Sequence, residues 1–356
     1  MKIGIVTVPD SANYGSFLQG IALKWVLESM GHETCFIATR EKEYVRKIYY
    51  NWHPVKRDLK HPVRFVRKNL TGVRKYEMYK KDHQLMDIRE LEDAQECDLF
   101  VLGSDEIWNA HTEVFRRPVF YGVGMSPKIA YAVSTGNASE QDFEEHPEIK
   151  AWIQSVDDIC VRDESSREIV EKITGKTPLL VCDPTMLVTA DRFLNPYNEP
   201  YLLEHRYILV YLYPDTISRQ AVRELKKFAR KKDLKLVAAG FHHAWCDYEV
   251  MCCPTEFSSV VHGAEYVITA TFHGSIFSIL NEKQFISIRT NKKVPDLLNR
   301  LGLSLQLMEK TELTEERLNE KLCGEKICYE SVNEKIQNWR ESSRMKLKEV
   351  ISGYAD

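Results

Sequence analysis

The first 38 residues hold the pattern that most restricts the fold. Lys2 to Val8 is a near-continuous apolar run, and Pro9 to Gly15 is a loop. Phe17, Leu18, Ile21, Trp25, Val26 and Met30 then recur at helical spacing, Gly31 ends that helix, and Thr34 to Ala38 restarts a strand. Strands apolar along their whole length are those buried on both faces of a parallel sheet, and a helix between two of them makes a βαβ unit. Further strands are predicted at Leu99–Leu102, Ile129–Val133, Ile159–Arg162 and Leu179–Val181. Met186 to Arg206 interrupts the series with Pro196, Asn198 and Pro200, the composition of a linker. A second series follows: a strand at Tyr207–Tyr213, a helix near Ser218–Lys231, and strands at Leu234–Ala238, Tyr266–Thr269 and Phe285–Ile288. The chain has 356 residues, more than one hydrophobic core usually serves. The expectation is α/β, with two Rossmann-like domains at 1–190 and 205–330 facing across a cleft, then a charged helix at 331–356.

Charge is balanced overall, at −3, but not locally. Arg40 to Lys81 holds fourteen Lys and Arg against four acids, interleaved with Tyr44, Tyr49, Tyr50, Trp52, Phe65, Tyr76 and Tyr79. The 40–82 segment therefore reads as a basic insertion, either a solvated helical excursion or a surface for anionic membranes. No recognised nucleic-acid motif accompanies it, so nucleic acid is not expected as a partner. No apolar run approaches the ~20 residues that cross a bilayer. Met1 to Pro9 lacks the basic region and cleavage site of a signal peptide, which favours a cytoplasmic location, with peripheral attachment to the inner membrane face left open. Nine scattered cysteines, with no Cys-x-x-Cys, read as reduced thiols. Cys246, Cys252 and Cys253 lie near His242 and His243, but their spacing fits no common zinc pattern, so no metal is expected.

Polar motifs fall where the predicted strands end. After Tyr266–Thr269 the chain reads Ala270-Thr271-Phe272-His273-Gly274-Ser275, a strand-to-helix turn whose first backbone N–H groups favour an anion, with side-chain donors at Thr271, His273 and Ser275. A helix capped by Ser275 with a packed histidine is the structural alternative. After the first strand, Asn13 and Gly15 could meet a ligand, although the loop is neither a Walker loop nor a dinucleotide fingerprint. After Leu99–Leu102 come Asp105, placed to act as a general base, Glu106, which would raise its pKa by like-charge repulsion, and Trp108 and Asn109, where the indole could stack on a sugar ring. Arg162 leaves its strand able to grip a carboxylate or phosphate, or to pair with Asp163 or Glu164. Asp183-Pro184 reads as a structural turn, and Arg289 as a further anion-binding candidate.

In this order the motifs resemble the polysaccharide pyruvyl transferase family. The matching pieces are Asn13-Tyr14-Gly15, Gly103-Ser104-Asp105 with Trp108-Asn109, Tyr131-Ala132-Val133-Ser134, Arg162-Asp163, Asp183-Pro184, Pro254-Thr255-Glu256-Phe257, and Val267-Ile268-Thr269 through Phe272-His273-Gly274. The resemblance implies a GT-B-like arrangement and transfer of a pyruvyl group from phosphoenolpyruvate to two hydroxyls of a sugar, as a cyclic ketal, with no separate cofactor. It implies that Arg162 holds the donor's carboxylate or phosphate and that His273 binds phosphate and acts as the acid, with Gly274, Ser275, Thr271 and Arg289 as further donor-binding candidates by their position. Asp105 would be the base, and Asn13, Gly15, Trp108 and Asn109 would meet the acceptor, a cell-surface polysaccharide sugar or its lipid-linked precursor. Many members carry an arginine where this chain has Thr271, which removes a cation unless Arg289 or Lys293 replaces it. A nucleotide-sugar glycosyltransferase of GT-B type and a non-catalytic glycan-binding member are the alternatives.

Overall fold

The computed structural model describes residues 1–54, 59–60, 62–94, 96–290 and 292–354. Its chain divides into two compact units, the first comprising residues 1–162, 166–187 and 343–356, the second 163–165 and 188–342.

The first unit is built on seven parallel strands: β1 (Lys2–Val6), β2 (Glu33–Ile37), β3 (Ile88–Arg89), β4 (Leu99–Leu102), β5 (Lys128–Val133), β6 (Asp158–Val161) and β7 (Leu179–Leu180). Their order across the sheet is β3-β2-β1-β4-β5-β6-β7. The second unit has β8 (Tyr207–Tyr211), β9 (Lys235–Ala239), β10 (Tyr248–Val250), β11 (Tyr266–Thr269), β12 (Gln284–Ile288) and β13 (Leu307–Met308), ordered β10-β9-β8-β11-β12-β13. Both sheets run outward in one direction and then restart beside their first strand. That is the doubly wound order, and the crevice beyond the carboxyl ends at the reversal is where such sheets take ligands. The reversal lies between β1 and β4 in one unit and between β8 and β11 in the other.

The apolar strands come out where the sequence places them, because their side chains are buried on both faces. The sequence misses three short edge strands, β3, β10 and β13, two or three residues long and too brief to show a period. Helices α1 (Tyr14–Ser29), α2 (Lys42–Tyr49), α3 (Pro62–His83), α4 (Arg219–Lys231), α5 (Phe272–Leu280), α6 (Lys293–Leu301) and α7 (Tyr329–Ser352) include the ones that matter below. The last part of α7, from Ser343, belongs to the first unit, where Ser343 Oγ accepts from the Cys182 N–H at 3.0 Å.

The basic insertion folds as α2 and α3. Its tyrosines do internal work: Tyr49 donates to the Ser11 carbonyl and Tyr79 to the Ala12 carbonyl, each at 3.1 Å, so the loop after β1 hangs from the insertion. Tyr79 stacks on Tyr14, and Arg40 pairs with Asp10 in the same loop. Gly72 allows the close approach, since a Cβ there would lie 2.1 Å from the Tyr49 carbonyl oxygen. Residues 55–58 and 61, and the side chains of Arg64, Arg67 and Lys68, which contribute to the basic count, lie outside the described residues.

Candidate functional site

Two clusters of the polar residues singled out above form, one at the carboxyl end of each sheet.

In the first unit the loop after β4 is set by Gly103, whose φ of +121° and 2.2 Å clearance to the Tyr131 carbonyl oxygen admit no side chain. Thr7 Oγ1 donates to the Ser104 carbonyl at 3.0 Å, Gln19 Nε2 donates to Thr7 Oγ1 at 2.8 Å, and the Ser104 N–H donates back to Gln19 Oε1 at 3.2 Å. All three residues are fully buried, so each bond satisfies a group that would otherwise be costly to leave unmet. Sequence reasoning passed over Thr7 and Gln19. The available signal was a polar residue interrupting an apolar strand and another interrupting the apolar face of α1. Tyr131, from the same motif set, is fully buried with its hydroxyl 3.3 Å from the Cys182 carbonyl, and burial holds its phenol well above the usual range.

Asp105 follows at φ +80°. Its Oδ1 accepts from the Glu106 N–H at 2.9 Å and from Arg162 Nη2 at 3.2 Å, while Arg162 Nη1 donates to Asp183 Oδ2 at 2.8 Å. Arg162 thus pairs with two carboxylates, and its side chain is only 1% exposed. Beyond the neighbours Asp163 and Glu164 that the sequence offers, the guanidinium reaches Asp105 and Asp183. Arg162, expected to grip the donor, is enclosed and bonded to Asp105 and Asp183. The nearest charge to Asp105 is the Arg162 cation at 3.2 Å, while Glu106 Oε2 accepts from Asn109 Nδ2. Asp183 keeps its structural part, with Oδ1 accepting from the Thr185 N–H and hydroxyl.

Trp108 is not available for a sugar. It is fully buried in the first unit's core, donates Nε1–H to the Phe120 carbonyl at 3.1 Å and stacks on Tyr121. An indole so enclosed contributes packing area, not a stacking platform. Asn109 is 5% exposed, beside Gly136, so it too is mostly enclosed. Asn13 is the N-cap of α1, its Oδ1 accepting from the Gly15 N–H at 2.9 Å, so that N–H serves the helix.

In the second unit Thr269 Oγ1 donates to the Tyr211 carbonyl at 3.0 Å, tying β11 to β8 across the reversal. Helix α5 begins at Phe272, three residues earlier than the apolar pattern indicates, which puts His273 and Gly274 inside its first turn. The N-cap is Thr271, not Ser275: Thr271 Oγ1 accepts from the Gly274 N–H at 2.9 Å. Ser275 is spoken for, donating to the Thr271 carbonyl at 3.0 Å and sharing a 2.7 Å bond with Ser287 of β12. Its expected part as a ligand donor is corrected accordingly, and Gly274 lends neither its N–H nor a side chain. What Gly274 supplies is clearance, since a Cβ would lie 2.1 Å from Thr269 Oγ1 and 2.8 Å from the Tyr211 ring. His273 is 6% exposed at the helix start, the end whose dipole favours negative charge. Nearby at the β8 end, His243 donates Nε2–H to the Leu212 carbonyl at 3.0 Å, and burial lowers its pKa.

Arg289 is ion-paired with Glu309 at 2.6 Å, both side chains about half exposed, so its charge is already answered. The next residue, Thr290, reaches back to the Ala270 carbonyl at 2.9 Å. Lys293, at the start of α6, is the buried cation of this stretch, 2% exposed.

The sequence profile of polysaccharide pyruvyl transferases matches residues 13–292, most of the chain. No curated protein matches the sequence significantly. Among solved structures, a putative UDP-N-acetylglucosamine 2-epimerase from Listeria monocytogenes is similar over 95% of this chain and 90% of its own, at TM-score 0.57 and 13% identity. The glycosyltransferase SnogD from Streptomyces nogalater is similar over 99% of both chains, at TM-score 0.51 and 12% identity. A glycosyltransferase of kitacinnamycin covers 99% of this chain and 98% of its own, at 0.53 and 12%. Likeness at such identities carries the fold, a two-domain α/β arrangement of the GT-B kind, and nothing of the chemistry.

Proposed function

The chain belongs to the polysaccharide pyruvyl transferase family, and on that premise we propose that it moves the pyruvyl group of phosphoenolpyruvate onto two hydroxyls of a sugar in a cell-surface polysaccharide or its lipid-linked precursor. A proton adds to the donor's methylene carbon to give a methyl group, and the two sugar oxygens bond to C2. The C2–O bond to phosphate breaks, and inorganic phosphate leaves with the second hydroxyl's proton. The product is a cyclic ketal.

The observation that carries this reading is the turn Thr269–Ser275, where the N-terminus of α5 and His273 stand at the carboxyl end of β11, beside the strand reversal. A departing phosphate suits that end of a helix, and His273 supplies a ring N–H to it or the proton the enol carbon needs. Activation of the sugar hydroxyl falls to Asp105, which Arg162 and the Glu106 N–H hold in one orientation. A positioned carboxylate accepts a hydroxyl proton as the new C–O bond forms. The family's arginine is replaced by Thr271, whose hydroxyl caps the helix, so in this chain the phosphate is met by the helix end and His273.

Thermal stabilisation by phosphoenolpyruvate tests the assignment. Ligand at ~100 times its dissociation constant stabilises the folded state by about 2.7 kcal/mol. The native protein should show that shift, and His273→Gln should lose most of it. A shift with uridine diphosphate and none with phosphoenolpyruvate would move the assignment to nucleotide-sugar chemistry.

A further inference from the structure

The outer faces of α2 and α3 carry a feature that neither the fold nor the transfer chemistry uses. On α3, Val63, Val66 and Leu70 are exposed, Val63 by 81%. At 3.6 residues per turn they fall within about 60° of one another. The opposite side of the helix carries Asn69, Gly72, Tyr76 and Tyr79, which hold α2 and the loop after β1. On α2, Tyr44 and Ile48 repeat the arrangement, exposed at i and i+4 while Val45 and Tyr49 are buried. Trp52, between the helices, is 45% exposed against Phe65. Large apolar side chains are thus turned to water on both helices of the most basic segment of the chain.

We infer that this outer face is an interfacial membrane-docking surface, which lays α2 and α3 on an anionic lipid bilayer with the apolar stripe between the headgroups and the cations against them. Lys42, Arg46, Lys60, Arg74, Lys80 and Lys81 are exposed around the stripe. That pairing of an apolar face with flanking Lys and Arg is what an in-plane helix requires. Charge decides between occupants. A second copy would bring an equal positive excess onto the same face, and like charges brought together oppose association. A nucleic-acid backbone would answer the cations but leave the valines and leucine without a partner. Among the described residues no helix is long and apolar enough to cross a membrane, so the contact is with the surface. The inner face links this contact to the rest of the unit, since Tyr49 and Tyr79 grip the loop that carries Asn13. Docking itself does not depend on the pyruvyl-transfer reading.

Co-sedimentation of the full chain with phosphatidylcholine vesicles, with and without about one-third phosphatidylglycerol, tests it. Binding is expected to the mixed vesicles at low salt, and to fall at least ~10-fold near 0.5 M salt, where the screening length is a few ångströms. The triple variant Val63→Ser, Val66→Ser, Leu70→Ser should bind the mixed vesicles ~10-fold more weakly, with an unchanged circular dichroism spectrum and melting temperature. Arg74→Glu, Lys80→Glu, Lys81→Glu should lose the salt-sensitive part. No sedimentation with mixed vesicles at low salt overturns the inference. So does a triple Ser variant that binds like the native chain, or a concentration-dependent dimer that this variant abolishes.

Discussion

Both sheets reverse between their first and fourth strands, and in both a threonine hydroxyl donates across the reversal at 3.0 Å, Thr7 to the Ser104 carbonyl and Thr269 to the Tyr211 carbonyl. What surrounds that shared bond differs. In the first unit a buried guanidinium and two carboxylates, Arg162 with Asp105 and Asp183, hold the loops, supported by the Gln19 amide. In the second the holding is done by hydroxyls, Thr269, Thr271, Ser275 and Ser287, and by the packing of Gly274. Charge committed to neutralising its own neighbours fixes a carboxylate in place. Neutral hydroxyls leave the helix-end field for an incoming anion. On the function proposed above, the first unit would position a base and the second would bind an anion.

The sharpest way to break it is to remove the charge at its centre. Arg162→Met leaves Asp105 and Asp183 buried without their cation, and the expected loss is ~3–5 kcal/mol in urea unfolding. Adding Asp105→Asn and Asp183→Asn to that variant should recover much of the loss, because the stranded charges go with their partner. A cost of Arg162→Met below about 1 kcal/mol would mean that charge does not hold these loops.

Next in size is the clearance in the second unit. Inside a helix, glycine to alanine ordinarily gains up to ~1 kcal/mol. Gly274→Ala should invert that sign, since the new methyl meets Thr269 Oγ1 and the Tyr211 ring, and lose ~1–3 kcal/mol. A stabilised variant would show that α5 is free to shift away from β8 and β11, and the rigid hydroxyl frame would no longer stand. Thr271→Ala, which removes only the cap, should cost about 1 kcal/mol, with Thr271→Ser close to native.

The sequence discloses the frame more fully than the sites. Strands such as Leu99–Leu102 and Tyr266–Thr269 are apolar on both faces and are recovered to the residue. The start of α5 is misplaced because Phe272, His273 and Gly274 read as a turn until the Thr271 cap is seen to close them into a helix. Asp105 and Arg162 are each recognisable as site candidates 57 positions apart, but nothing linear says that they bond to each other. Trp108 fails for a similar reason: an indole beside polar residues looks accessible until Phe120 and Tyr121, a dozen residues on, enclose it. The basic insertion shows both outcomes at once, since Tyr49 and Tyr79 are internal struts while Val63 and Val66 lie on the exposed side.

The smallest effect compares a partly buried histidine of the first unit with a buried one of the second as pH falls. His83 stacks on Phe17 and meets Tyr79 edge-on, and its Nε2 has no hydrogen-bond partner among the described residues. His243 has one, the Leu212 carbonyl. Burial lowers the pKa of both, opposed at His83 by Asp10 and Asp82, and at His243 first by that hydrogen bond. Above the ordinary histidine value of about 6.5 both rings are neutral, folded or unfolded, and contribute no pH dependence. Below it the unfolded chain takes up protons that the folded chain resists, so stability falls with pH until the depressed folded values are passed. Melting temperature should therefore drop between about pH 7 and pH 5. His83→Phe and His243→Gln should each flatten part of that slope, since each removes a ring whose protonation burial opposes. A native-like slope in His83→Phe, with a flat one in His243→Gln, would mean that the hydrogen-bonded ring of the second unit, not the apolar burial of the first, sets the acid limit of this fold.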